Sequence, residues 1–162
     1  MGKMYRVLFV CMGNICRSPA AECVFRQVIT QEGLAGAVEC DSAGTIDFHA
    51  GSAPDPRVRK TGADRGFEIV GRARQVQEAD LESFDLILAM DRENLEYVKS
   101  LDVRGQYSEK IRLFCDFAQQ MDEEEVPDPY YGGQTGFDKV FDLLEDGSEG
   151  LIAHLTEHQG IG

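Results

Sequence analysis

Residues 4–10 (MYRVLFV) run straight into CMGNICRS, residues 11–18, and then into Pro19 and a helical apolar pattern. A hydrophobic, β-branched strand joined to a helix through so short a loop is the opening half of a parallel βαβ unit, with the strand buried and the loop at its carboxyl end. Ser18 is expected as the N-cap and Pro19 as the first helical residue. In such a turn successive backbone N–H groups face inward and add to the positive end of the helix dipole, so the loop can cradle an anion. Cys11 and Arg17 stand at its two ends. A helix N-terminus with a nearby cation favours the thiolate over the thiol, and the planar fork of an arginine can hold two phosphate oxygens at once. Gly13 allows the close turn and Asn14 tolerates a left-handed backbone; Met12, Ile15 and Cys16 complete the loop. A half-buried core cysteine before an ordinary helix is the competing reading. The combination of strand, Gly13-Asn14 and Ser18-Pro19 weighs against it.

The remainder alternates in the same way. Ala20, Ala21, Val24, Phe25, Val28 and Ile29 recur at helical spacing up to Gly33. A second strand is expected at 37–41, a helix at 55–65 closed by Gly66, a third strand at 84–90, a helix at 91–101, a fourth strand at 110–114 and a long helix at 136–159. Strands alternating with helices predict an α/β fold, a parallel sheet covered on both faces, with ligands at the carboxyl ends of the strands, where Cys11 falls.

With 162 residues, 43% of them hydrophobic, the chain can bury one good core and is short for two, so one domain over residues 1–162 is expected. A formal net charge of −13 argues against nucleic acid or an anionic membrane as partner, which leaves the cradle as a local positive spot. Residues 1–6 are short and polar for a signal peptide, and no apolar run approaches the roughly 20 residues of a membrane span. Five cysteines without a signal peptide fit a reducing compartment, so a cytoplasmic protein is expected.

Residues 121–133 (MDEEEVPDPYYGG) carry prolines, glycines and an acidic run that forbid a regular element, and they predict an exposed loop. A carboxylic acid on such a loop, here Asp128, can protonate a leaving group and later, as carboxylate, take a proton from water; alone, Asp128-Pro129 reads first as a turn. The run 122–125 is either a charged collar that repels acidic phosphopeptides or a solvated face turned away. Ser18 can donate to the Cys11 sulfur as well as cap its helix, and the two roles compete. Asp91 suits an N-cap as well as a supporting place in the site. His154 and His158, four apart, read as a solvated helix face rather than metal ligands. Cys23, Cys40 and Cys115 read as core fillers.

Together these segments resemble one family, the low-molecular-weight protein tyrosine phosphatases. The resemblance rests on VCMGNICRSPAAE, DSAGT at 41–45, PDPR at 54–57, RARQV at 72–76, FDLILAMD at 84–91 and PDPYYGG at 127–133, and it spans nearly the whole chain. It implies a three-layer sandwich around a four-stranded sheet of order 2-1-3-4. It also implies Cys11 as nucleophile, Arg17 as phosphate binder, Asp128 as general acid, no metal or cofactor, and tyrosine-phosphorylated proteins as substrates. Within it, Ser42 fixes Asn14, Phe48 sits at the rim of the substrate slot, and Tyr130 and Tyr131 form one wall. Those tyrosines can themselves be phosphorylated, which makes a tyrosine kinase a further partner; a monomer is expected. Cys16 pairs with Cys11 under oxidation. One departure is Gly71, where many members carry a histidine, so a tie to Asp91 is expected to be missing. Arsenate reduction and arginine dephosphorylation occur on the same scaffold. The first needs further redox cysteines near the loop, and relatives of the second carry threonine where this chain has Ile15.

Overall fold

In the computed structural model, which describes residues 3–130 and 132–161, the first strand, β1 (Tyr5–Cys11), lies inside the sheet. It pairs in parallel with β2 (Val38–Gly44) on one side and β3 (Leu86–Ala89) on the other; β3 pairs in parallel with β4 (Ile111–Leu113), giving the order β2-β1-β3-β4. Alternate residues of β1 serve opposite faces, as a pleat demands. Val7, Phe9 and Cys11 pack into one core with residues of α1 (Arg17–Gln31), α2 (Pro56–Asp64) and α5 (Gln134–His158). Leu8 and Val10 pack into a second core with Leu81 of α3 (Glu78–Ser83) and Val98 of α4 (Arg92–Leu101). Helices therefore cover both faces of the sheet, the three-layer arrangement expected from the alternation of elements.

Three local expectations change. Helix α1 begins at Arg17 with Cys16 as N-cap and no side-chain cap, so Ser18 lies inside the first turn and its hydroxyl is turned elsewhere. Strand β2 runs on to Gly44 because its end docks on the loop after β1: Cys11 stands opposite Gly44, and a Cβ on Gly44 would lie 2.6 Å from the Met12 carbonyl oxygen. Only glycine permits that approach. Helix α3 was not visible as periodicity, because QEADLES has one large apolar residue. It is held by a capping box between Gln77 and Asp80, with Leu81 as its buried anchor. No helix among the described residues is long and apolar enough to cross a membrane.

Candidate active site

The loop after β1 turns on Asn14, the one non-glycine residue with a positive φ (56°) among those described. A left-handed backbone costs an L-residue free energy unless its surroundings hold it, and here the side chain is held at both ends. Asn14 Nδ2 donates to Ser18 Oγ (2.7 Å) and Ser42 Oγ (3.0 Å), while Oδ1 accepts from the Arg74 backbone N–H (3.0 Å). Ser42 Oγ lies 2.7 Å from Glu22 Oε1.

The protons of this chain are ordered by what each group can do. An ionised carboxylate only accepts, so Ser42 gives its proton to Glu22 and accepts from Asn14. Ser18 also accepts from Asn14, which leaves its own proton for Cys11 Sγ at 3.0 Å or the Ala43 carbonyl at 3.3 Å. The Asn14 N–H points at the same sulfur (3.3 Å). A thiolate at Cys11 thus has the Asn14 N–H and the Ser18 hydroxyl within reach, and Ser18 does not cap the helix. Glu22, one turn beyond Ser18 on α1 and also paired with Arg26, sets the direction of the whole chain. Replacing it with leucine is expected to lower kcat/KM for an aryl phosphate by about tenfold, the scale of one disordered hydrogen bond in a buried network, whereas Glu22→Gln, which still accepts, stays near the parent; steady-state kinetics of both variants checks this.

Arg17 is 3% exposed by its side chain and reaches from α1 toward the far side of the loop. Its Nη1 donates to Asp91 Oδ2 (2.6 Å) and to the Val126 carbonyl (3.0 Å), and its Nη2 lies 3.8 Å from Asp128 Oδ2. Burial by itself lowers the pKa of this guanidinium, but the facing Cys11 sulfur, Asp91 and Asp128 more than reverse that and raise it. Asp91 has both of the roles weighed from the sequence. One oxygen caps α4 through the Asn94 N–H (2.8 Å) and the other holds Arg17. Gly71 leaves no gap there, because Arg17 is the partner of Asp91.

The segment carrying Asp128 has no helix or strand, yet it is fastened along its length. Val126 is buried and its N–H donates to the Met90 carbonyl (2.8 Å). The acidic run is engaged: Glu123 pairs with Lys139, Glu124 with Arg92, and Glu125 accepts from the Arg92 N–H. It ties the loop to α4 and α5. Asp128 Oδ1 accepts from the Tyr130 N–H (3.0 Å), closing a local turn. Arg57 at the start of α2 grips the loop from below, donating to the Tyr130 carbonyl (2.8 Å) while Asp55 takes its other edge; the Asp55 N–H in turn donates to the Ile15 carbonyl (2.8 Å). The phosphate loop and the acid loop are thereby joined through Asp55 and Arg57. Tyr131 lies outside the described residues.

Cys11, Met12, Gly13, Ile15, Cys16, Arg17, Phe48, Asp128 and Tyr130 line one cavity of ≈ 260 Å³, together with Ile46 and His49. Asn14, Ser18 and Ser42 sit beneath it, buried. His49 lies over Gly13, where a Cβ would meet its ring at 3.0 Å, and packs edge-on against Phe48. Cys16 also lines this cavity, and burial followed by the charges of Asp55, Cys11 and Asp128 pushes its thiol up to about 12. The other thiols lie away from the cavity; burial holds Cys40 and Cys115 at about 12 as well. His154 packs edge-on to Phe117, and no cluster of metal-binding side chains occurs among the described residues. Glu22, His49 and Arg57 escaped the sequence reading. Glu22 left a signal in its i, i+4 spacing from Ser18 within SPAAE, and Arg57 closes the PDPR segment.

The profile described as low molecular weight phosphotyrosine protein phosphatase matches residues 6–160. A low molecular weight protein-tyrosine-phosphatase of Streptomyces coelicolor is 42% identical over 94% of this chain and 94% of its own length. YfkJ of Bacillus subtilis, a low molecular weight protein-tyrosine-phosphatase, is 40% identical over 98% of this chain and 100% of its own. Among solved structures, a protein tyrosine phosphatase of Entamoeba histolytica with Hepes in the active site superposes with a TM-score of 0.93 at 45% identity, covering 96% of this chain and 99% of that one.

Proposed function

The chain belongs to the low molecular weight phosphotyrosine protein phosphatases, hydrolases of phosphoric monoesters, and from that premise we propose that it releases phosphate from phosphotyrosine in proteins, with Cys11 as nucleophile, Arg17 as phosphate clamp and Asp128 as general acid. The observation that carries the assignment is the convergence of these three groups on one cavity, with the sulfur facing two hydrogen-bond donors and the carboxylate across from it. The Cys11 thiolate attacks phosphorus; the P–O bond to the tyrosine breaks, and protonated Asp128 gives its proton to the departing phenolate. Arg17 and the inward N–H groups hold the phosphoryl oxygens through the transition state. Asp128, now ionised, takes a proton from water as that water attacks the cysteinyl phosphate, and inorganic phosphate and the thiolate are restored.

The substrate slot runs between Phe48 and Tyr130, which face the cavity from opposite loops. A panel of phosphotyrosine, phosphoserine and phosphoarginine peptides and arsenate, offered to reduced protein, tests the reading. Release from phosphotyrosine alone is expected, and turnover confined to phosphoarginine or arsenate overturns it. Ile15 favours the first outcome, and the lack of a further cysteine in the cavity beyond Cys16 disfavours arsenate reduction. A cytoplasmic setting fits the five free thiols, and a tyrosine kinase acting on Tyr130 is a consistent partner.

Cys16 is proposed as the resolving thiol for an oxidised Cys11. A thiol held at about 12 is protonated at neutral pH, and its thiolate fraction rises about tenfold per pH unit below that value. Disulfide closure after peroxide is therefore expected to be slow at pH 7 and to quicken steadily toward pH 9, with thiol restoring activity. Peptide mapping across this range checks it; a Cys11–Cys16 disulfide that forms at a pH-independent rate would remove the thiolate of Cys16 from the step.

A further inference from the structure

Six large apolar side chains are exposed among the described residues, and four of them line the cavity above Cys11: Met12 (45% exposed), Ile46 (39%), Phe48 (81%) and Tyr130 (37%). The other two, Val70 and Val103, are absent from that lining. Single exposed apolar residues are ordinary on a folded protein; their convergence at one mouth marks a surface built to be covered. In the reading above, the tyrosine ring fills the slot between Phe48 and Tyr130. Ile46 and the outer part of Met12 are then left to meet whatever flanks the phosphotyrosine.

The charges at the mouth narrow the chemistry of that flank. The basic side chains lining the cavity are Arg17 and His49. Arg17 is sunk at the floor and engaged with Asp91 and Val126. His49 is packed between Gly13 and the Phe48 ring. Arg57, below the acid loop, gives its edges to Asp55 and the Tyr130 carbonyl. Among the residues lining the cavity, an acidic side chain next to the phosphotyrosine finds no guanidinium beyond the engaged Arg17, on a chain of formal net charge −13. An apolar side chain meets Ile46 and the outer part of Met12.

We propose that this collar selects phosphotyrosines flanked by apolar residues over those flanked by acidic ones. The proposal rests on the phosphotyrosine reading of the site. The Ile46 backbone is fixed independently of its side chain, its N–H donating to the Met12 carbonyl at 3.1 Å, so Ile46→Ser trims the collar and leaves the phosphate loop supported.

The test uses phosphotyrosine peptides of equal length with leucine and phenylalanine, serine, or glutamate on both sides of the phosphotyrosine. Phosphate release should give kcat/KM about tenfold higher for the apolar than for the acidic peptides, the effect of covering part of one large side chain together with the removal of a repelled charge. The advantage over serine-flanked peptides should persist at high salt, which screens charges and leaves apolar contact intact. In Ile46→Ser that advantage, read as the ratio of apolar- to serine-flanked peptides within the same variant, should fall about threefold. Failure to hydrolyse any phosphotyrosine peptide would overturn the underlying activity. Hydrolysis with equal rates, with an acidic preference, or with an apolar preference untouched by Ile46→Ser would overturn the collar alone.

Discussion

Replacing Cys11 with serine is expected to lower kcat for aryl phosphates by at least about 10⁴-fold, the scale of loss seen when an enzyme's nucleophile is removed, while inorganic phosphate still binds. The hydroxyl of serine is not ionised at neutral pH, and the groups that face position 11, the Ser18 hydroxyl and the Asn14 N–H, are donors that stabilise a thiolate without removing a proton from an alcohol. Binding rests on different atoms. Arg17 stays anchored on Asp91 and Val126, Asn14 stays held by Ser18, Ser42 and Arg74, and the start of α1 keeps its unpaired N–H groups. A serine hydroxyl also carries no charge to repel a phosphate dianion, so calorimetry with inorganic phosphate should give affinity equal to or tighter than the parent's. Turnover within about tenfold of the parent would remove Cys11 from the chemistry.

What was legible in the sequence follows the range of the forces involved. The alternation of strands and helices and the strand–loop–helix at residues 5–31 are local, carried by periodicity, and the structure places them within a few residues of expectation. The end of β2 was missed because what extends it is not its own propensity but contact with Met12, thirty-odd positions away in sequence. Helix α3 was missed because its one buried anchor leaves no repeat. In the site, Cys11, Gly13, Asn14 and Arg17 could be read from neighbouring residues, since a cradle is a local object. Arg57 and His49 could not, because each acts across the cavity on a loop far along the chain, and an exposed arginine or a loop histidine has many bland explanations. The acidic run gives the reverse case. Four consecutive acidic residues are legible as charge only, while the pairing of three of them with Lys139 and Arg92, which fastens the loop, depends on residues far along the chain.

Asp128→Asn is expected to slow substrates in proportion to the basicity of their leaving group. The amide keeps an oxygen able to accept from the Tyr130 N–H, so the local turn survives, and Arg57 still grips the Tyr130 carbonyl. What is lost is the transferable proton. A tyrosine-like phenolate, whose conjugate acid has a pKa of about 10, leaves poorly without it, and a loss of roughly 10²–10³ in kcat/KM is expected for phenyl phosphate. A nitrophenolate leaves with little help and should lose far less, so a plot of log kcat/KM against leaving-group pKa steepens in the variant. The amide, neutral like the protonated acid, sits 3.8 Å from Arg17 without holding that guanidinium away from the phosphate. KM should therefore fall or hold rather than rise. The second step separates this account from a structural one: without a carboxylate to take water's proton, the cysteinyl phosphate hydrolyses slowly whatever group has left, and a burst of nitrophenolate appears ahead of phosphate. An equal loss across leaving groups with no burst would mean that Asp128 shapes the loop and takes no part in proton transfer.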